Sequence, residues 1–193
     1  TFTNRFSFLH PEKIKALAIG GFNGELMLPQ NELNGIKLNY PLGTNDLPAL
    51  AGKPFDKDSY QAIPQFIYMG KLDDNDAVQF DDAYSEDERR IINDKIGRQV
   101  QGRYLRCQEL YRANNINPVF KTYETVGHWT TGAVNLEVIR FFLRQMQETK
   151  GMLHCAVIGR PTKTRLPVLQ DRLKMAYDSL FRSNFRRCWS PDQ

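Results

Sequence analysis

Apolar residues along this chain gather in three short runs that are separated by longer amphipathic stretches. The first run covers residues 14–19 and ends at two glycines, and the second covers residues 65–69 and ends at Gly70. The third run covers residues 118–123. Short runs rich in β-branched and aromatic side chains predict strands, and burial on both faces is typical of a parallel sheet.

Helical spacing of apolar side chains fills the stretches around these runs. The chain opens in a helical pattern that ends at Pro11, because proline cannot continue a helix. Residues 81–95 have a charged helical pattern, and two further stripes follow residues 100 and 134. This alternation predicts an α/β fold with about three parallel strands, flanking helices and right-handed crossovers. The three stripes consist of Phe2, Phe6 and Leu9, then Val100, Tyr104, Cys107 and Tyr111, then Val134, Val138, Phe141 and Phe142.

Residues 25–60 fit neither the strand period nor the helical period. Prolines at positions 29, 41, 48 and 54, with scattered Asn and Gly residues, interrupt every repeat. We therefore expect an irregular excursion over the upper edge of the sheet, followed by a short helix at residues 55–62. Long loops of this kind are often functional.

Charge divides the chain into two parts. The net charge is +4, but residues 150–193 contain nine Lys and Arg against three Asp, so residues 1–149 are net negative. The predicted domains are a body of residues 1–149 and an appended basic tail of residues 150–193, a candidate for a poorly ordered segment. The high isoelectric point belongs to the tail and gives no reason to expect nucleic-acid binding by the body.

Composition excludes several other classes. No stretch approaches the roughly 18 apolar residues that a membrane span requires, so no membrane span is expected. The chain begins at Thr1 without an initiator methionine or a recognisable targeting segment, and we expect its true beginning to be missing. Cys107, Cys155 and Cys188 have no paired spacing, so we predict reduced, inert thiols.

Two of the predicted strands end in loops that contain chemically useful side chains. Residues 73–76 form an Asp-Asp-Asn-Asp cluster after the second strand, and His128 follows the third. Parallel strands place their carboxyl ends at one edge of the sheet. A carboxylate there can fix the tautomer of an imidazole, so we predict Asp73 and His128 as an acid/base pair. Asp74, Asn75 and Asp76 compete with Asp73, and a solvated turn with a surface histidine is the structural alternative.

Metal binding is the other hypothesis for the acidic cluster. Oxygen-rich clusters bind Ca²⁺, but this loop lacks the glycine and the distal glutamate of the helix-loop-helix calcium site. The three histidines, at positions 10, 128 and 154, show no zinc-ligand spacing with the cysteines. We therefore predict neither a metal nor a cofactor.

The order of these segments resembles the C-terminal half of an α/β-hydrolase. The resemblance is to bacterial esterases, depolymerases and dienelactone-hydrolase-like proteins, and it covers about residues 1–148. It depends on residues 11–21 (PEKIKALAIGG), residues 67–78 (IYMGKLDDNDAV) and the Gly127-His128 pair ahead of the last helix.

The resemblance implies a Ser, Asp, His triad in that chain order, with an acyl-serine mechanism on a small-molecule or polymeric ester. Asp73 matches the triad acid and His128 the base. Neither Ser7, Ser59, Ser85 nor any serine of the tail lies in the G-x-S-x-G setting of the family's nucleophile. The nucleophile and the oxyanion-hole donors would lie upstream of Thr1, in a missing N-terminal half, and the chain alone would be inactive.

The main alternative is a non-catalytic α/β module that binds or complements another chain. A contact between the basic tail and nucleic acid or a membrane surface is a further hypothesis, because the tail combines Arg186 and Arg187 with an apolar stripe. An unselected tail sequence is the competing explanation.

Overall fold

The computed structural model describes residues 2–22, 24–80 and 83–157, with side chains described as far as residue 147. The chain divides into two units, Thr1–Lys150 and Gly151–Gln193, and the first contains the sheet and the candidate site. The predicted basic tail lies outside the described residues from position 158 onward. The elements in chain order are α1 (Phe2–Leu9), β1 (Leu17–Ile19), β2 (Glu32–Leu33), β3 (Ile36–Lys37), α2 (Leu47–Ala51), α3 (Lys57–Ala62), β4 (Gln65–Gly70), α4 (Glu86–Ile91), α5 (Val100–Ala113), β5 (Val119–Tyr123) and α6 (Gly132–Val157).

A three-stranded parallel sheet with the order β1, β4, β5 forms the centre of this unit. Helices cover both of its faces. On one face Phe120 of β5 packs against Tyr104 and Tyr111 of α5. On the other, Phe66 of β4 stacks on Phe141 of α6 with ring centroids 5.6 Å apart. The predicted α/β class with three parallel strands and flanking helices is therefore confirmed.

The central strand is buried except at Tyr68, which is partly exposed, as the second apolar run predicted. Ile67 and Met69 are 0% and 1% exposed. The predicted stripe of α5 is also correct, because all four of its residues are buried. The first strand is shorter than expected, since Pro11–Lys13 form a 3₁₀ turn and pairing begins only at Leu17.

Residues 25–60 agree with the prediction only in part. Helix α3 is the short helix expected at residues 55–62. The β2–β3 hairpin, the helix α2 and the large share of the core that this segment contributes were not predicted. Pro48 lies in the first turn of α2, where proline is tolerated, and the apolar residues between the prolines pack inward. Tyr111 of α5 donates a hydrogen bond to the Met27 carbonyl at 2.7 Å and so ties this segment to the helical layer. Its fully buried apolar and aromatic side chains include Leu26, Met27, Leu28, Leu38, Leu42, Leu47 and Tyr60.

The charged stretch that was predicted as one helix is divided into two elements. Helix α4 starts with a capping box between Ser85 and Glu88, and a π-helical turn, Ile92–Ile96, follows it. In α6, Val134 and Phe141 are buried as predicted, whereas Phe142 is 36% exposed. Within the described residues no helix is long and apolar enough to span a membrane.

Strand β1 forms one edge of the sheet. The Leu17 N–H donates to the Pro64 carbonyl at 2.9 Å, so the parallel register turns the backbone N–H and C=O of Ala18 away from β4. Among the described residues nothing pairs with that side of β1. An unpaired edge on an apolar strand favours association with another chain.

We expect the purified chain to self-associate as its concentration rises and Ala18→Pro to weaken that association. Proline removes an N–H that makes no bond within the sheet, and proline is tolerated at such edge positions. Multi-angle light scattering after size-exclusion chromatography measures the effect. Leu17→Pro is the matched control, because it removes the bond to Pro64 and should destabilise the fold instead. A wild-type chain that stays monomeric at all concentrations would contradict this expectation.

Candidate active site

Asp73 lies in a tight turn directly after β4. Its backbone N–H donates to the Gly70 carbonyl at 3.2 Å, so the chain reverses within three residues of the strand end. The turn directs the Asp73 side chain inward, and the residue is only 2% exposed. A buried carboxylate needs hydrogen-bond donors, and the backbone N–H of Asn75 donates to Oδ1 at 3.1 Å.

The loop that carries His128 is joined to this turn through the backbone. The Lys71 N–H donates to the Tyr123 carbonyl at 2.9 Å, and the Leu72 N–H donates to the Val126 carbonyl at 3.0 Å. The two loops approach so closely that a Cβ at position 70 would overlap with carbonyl oxygens of the histidine loop. Glycine at this position is therefore a requirement of the contact between the loops.

Asp73 and His128 meet across this junction. The His128 Nδ1 atom lies 3.2 Å from both carboxylate oxygens of Asp73. The imidazole is partly exposed, with 22% of its side-chain surface accessible. A carboxylate that accepts a hydrogen bond from Nδ1–H fixes that tautomer and leaves the unprotonated Nε2 to accept a proton. No described residue hydrogen-bonds to Nε2.

The other carboxylates of the acidic cluster have different surroundings. Asp74 is exposed. Asp76 accepts the Val78 N–H at 3.0 Å and pairs with the Arg103 guanidinium at 2.6 Å. Asp73 is therefore the carboxylate that contacts His128, and Asp76 has a separate partner in α5. Among the residues that the structure describes, no group of three His, Cys, Asp or Glu side chains is arranged to hold a metal.

A buried polar group behind the acidic cluster was not anticipated. Arg103 of α5 is 1% exposed, and its Nε lies 3.5 Å from Oε2 of Glu25, which is also buried. The Cys107 thiol donates to the other oxygen of Glu25 at 2.7 Å. Burial raises the pKa of Glu25 to about 8, so this carboxyl is largely protonated at neutral pH. Asp76 is then the anion that balances the charge of Arg103.

Helical spacing contained a signal for this group. Arg103 is three residues after Val100 and four before Cys107, so it lies on the same face of α5 as the apolar stripe. A charged residue on a buried face needs a buried partner. The spacing could not identify Glu25 as a neighbour, because that residue comes from the irregular segment 25–60. Burial also raises the pKa of Cys107, which favours the thiol over the reactive thiolate.

We expect Gly70→Ala to lower the free energy of unfolding by about 3 kcal/mol, because a Cβ at this position displaces backbone atoms of the histidine loop. Gly102→Ala is the matched control. It lies within α5, where a Cβ meets nothing within 4 Å, and should stabilise the helix by about 0.5–1 kcal/mol. Urea denaturation followed by circular dichroism measures both. Equal effects of the two substitutions would contradict the proposed close approach.

Glu25 should make stability depend on pH. Its pKa is about 8 in the folded chain against an ordinary value of 4.5, so the folded state retains a proton that the unfolded state has lost. Its contribution is fully present below pH 4.5 and is lost as the pH rises through 8. Glu25→Gln should remove a slope on the order of 1 kcal/mol per pH unit between these values. Urea denaturation at several values between pH 5 and 9 gives the free energy of unfolding of wild type and variant. If this free energy changes with pH equally in both proteins, Glu25 does not titrate in this way.

Known proteins provide no further assignment for this site. Comparisons of the chain with protein-family models, with curated proteins and with solved structures found no match. The contact between Asp73 and His128 is therefore the strongest indication of what this site does.

Proposed function

We propose that this chain is the C-terminal part of a serine carboxylic-ester hydrolase in which Asp73 and His128 are two members of a catalytic triad. The single observation that carries the proposal is the contact of the Asp73 carboxylate with Nδ1, rather than Nε2, of His128. In a triad this is the nitrogen that the acid engages, because Nε2 must face the nucleophile.

The position of the pair in the fold supports the same assignment. Both side chains follow the carboxyl ends of adjacent parallel strands, where α/β proteins place their ligands. The triad acid precedes the base along the chain, which matches the order of the hydrolases that the sequence resembles. Leu72 and Trp129, each next to one member of the pair, are 64% and 84% exposed and offer apolar surface to an ester.

In the proposed mechanism His128 acts as the general base. Nε2 takes the proton of a serine hydroxyl as that oxygen attacks the ester carbonyl, and it then donates the proton to the departing alcohol. Asp73 holds the ring in the required tautomer and stabilises the imidazolium without accepting its proton. Water, activated by the same nitrogen, hydrolyses the acyl-serine.

The described hydroxyl groups do not supply this serine. The Ser7 hydroxyl donates to the Asn4 carbonyl at 2.6 Å, and the Ser85 side chain caps α4. Ser59 lies in the first turn of α3, where its N–H is bonded to Asp56. The sequence contains no G-x-S-x-G motif that would mark a serine of the tail as the nucleophile. We therefore assign the nucleophile and the oxyanion-hole donors to a further segment and expect residues 1–193 alone to have no esterase activity.

The test joins residues 1–193 to the coding sequence found in frame ahead of Thr1. We expect hydrolysis of p-nitrophenyl acetate and labelling of one serine by a fluorophosphonate. Asp73→Asn removes the carboxylate that fixes the tautomer of His128, and His128→Gln removes the general base. Each substitution should therefore lower kcat/KM on the order of 10³- to 10⁴-fold. Asp74→Asn is the matched control, since Asp74 is exposed, and should retain activity.

Two results would contradict the proposal. Ester hydrolysis by the joined protein that survives both Asp73→Asn and His128→Gln would exclude the triad. Hydrolysis by residues 1–193 alone that disappears in His128→Gln would exclude an external nucleophile.

The second candidate is a non-catalytic module that complements another chain. Two observations favour it: the unpaired edge of β1 and the lack of a described nucleophile beside His128. In that case no serine of the joined protein should be labelled by the fluorophosphonate. Residues 1–193 should still bind the chain that they complement, and Asp73→Asn should leave that binding unchanged.

A further inference from the structure

We propose that Gln101 is a positioning residue that holds Asp73 against His128. Gln101 is the second residue of α5, and its side chain is partly buried beneath the turn that follows β4. Its Nε2 donates to the Gly70 carbonyl at 2.9 Å and to the Asp73 carbonyl at 2.7 Å. The catalytic importance of the Asp73–His128 contact rests on the proposed function, but the test of Gln101 does not measure activity.

The side-chain amide of Gln101 is matched to this turn. Both of its neighbours are carbonyl oxygens, which only accept hydrogen bonds, so the amide must present its NH₂ group to them. That group has two hydrogens and here serves two acceptors. The Gly70 carbonyl also accepts the Asp73 N–H at 3.2 Å, and an oxygen with two lone pairs accommodates both donors.

The two bonds act on the first and last residues of the turn. Gly70 is the end of β4, and Asp73 is the residue whose carboxylate contacts His128. Backbone bonds from Lys71 and Leu72 already tie the middle of the turn to the histidine loop. Gln101 adds a link from the ends of the turn to α5. The position of the carboxylate thus depends on a helix as well as on the sheet.

A second link from α5 makes the attachment specific. Arg103, two residues further along the helix, pairs with Asp76 at 2.6 Å. The acidic loop is therefore held by α5 at residue 73 and again at residue 76. Arg103 is fully buried beside Glu25, so its substitution would disturb the core. Gln101 is only partly buried, and its role can be tested without loss of the fold.

The readout is the tautomer of His128 in the full chain. Nitrogen-15 chemical shifts of the ring, recorded where the imidazole is neutral, give the ratio of Nδ1–H to Nε2–H forms. The signals are identified by their loss in His128→Gln. We expect wild type to favour Nδ1–H and Asp73→Asn to lose this preference, because the acceptor of that hydrogen is then replaced by an amide.

Gln101→Met keeps the length of the side chain and a high helix propensity but removes both donors. We expect it to lower the Nδ1–H to Nε2–H ratio about fivefold, which corresponds to the net free energy of about one hydrogen bond. Gln101→Glu should lower the ratio further, because a carboxylate would then face two carbonyl oxygens. Gln99→Glu is the matched control: it makes the same change at an exposed position two residues earlier and should leave the ratio unchanged.

Thermal unfolding by circular dichroism confirms that each variant is folded. An unchanged ratio in folded Gln101→Met and Gln101→Glu would overturn the positioning role and leave the proposed hydrolase function intact. A wild-type ratio that does not respond to Asp73→Asn would instead overturn the Asp73–His128 pair, and with it both proposals.

Discussion

The arrangement of the site depends on the backbone contact between the loops that follow β4 and β5. Strand pairing ends at Gly70 and Tyr123, but hydrogen bonding continues beyond the strands through Lys71 and Leu72. This extension brings together side chains 55 positions apart in the sequence. A side chain at position 70 would separate the two loops, so the contact tolerates only glycine there.

The polar group behind the loops shows how a small core can contain a buried arginine. A guanidinium without a counter-ion is costly to bury. If Glu25 were ionised as well as Asp76, two negative charges would have to be buried beside Arg103. The protonated form of Glu25 avoids that second charge, because burial raises the pKa of the carboxyl to about 8. Asp76 is less deeply buried, with a side chain 16% exposed, and supplies the counter-charge from the loop. The core and the acidic loop are thereby coupled through one residue of α5.

Local patterns were sufficient for the sheet and for the stripe of α5. Both patterns reflect burial of short segments, and Ile67 and Tyr104 lie where their spacing indicated. The choice between Asp73 and Asp76 could not be made from spacing, because both follow Gly70 within six residues. In the structure Asp73, and not Asp76, contacts His128, because a single turn closed by the Asp73 N–H directs its side chain there. The packing of residues 25–60 was missed because it depends on tertiary contacts, such as that of Met27 with Tyr111, rather than on any local repeat.

The contact between Nδ1 and Asp73 fixes the orientation of the imidazole and therefore the direction in which Nε2 points. The two ring nitrogens point to roughly opposite sides, and one side is filled by a carboxylate that solvent barely reaches. Any polar group that engages the other nitrogen must therefore arrive from the opposite side of the ring. The Trp129 indole is a neighbour of the same ring, tilted by 76° to it with the two centroids 5.4 Å apart. Access to His128 is thus restricted by angle of approach more than by the depth of a cavity.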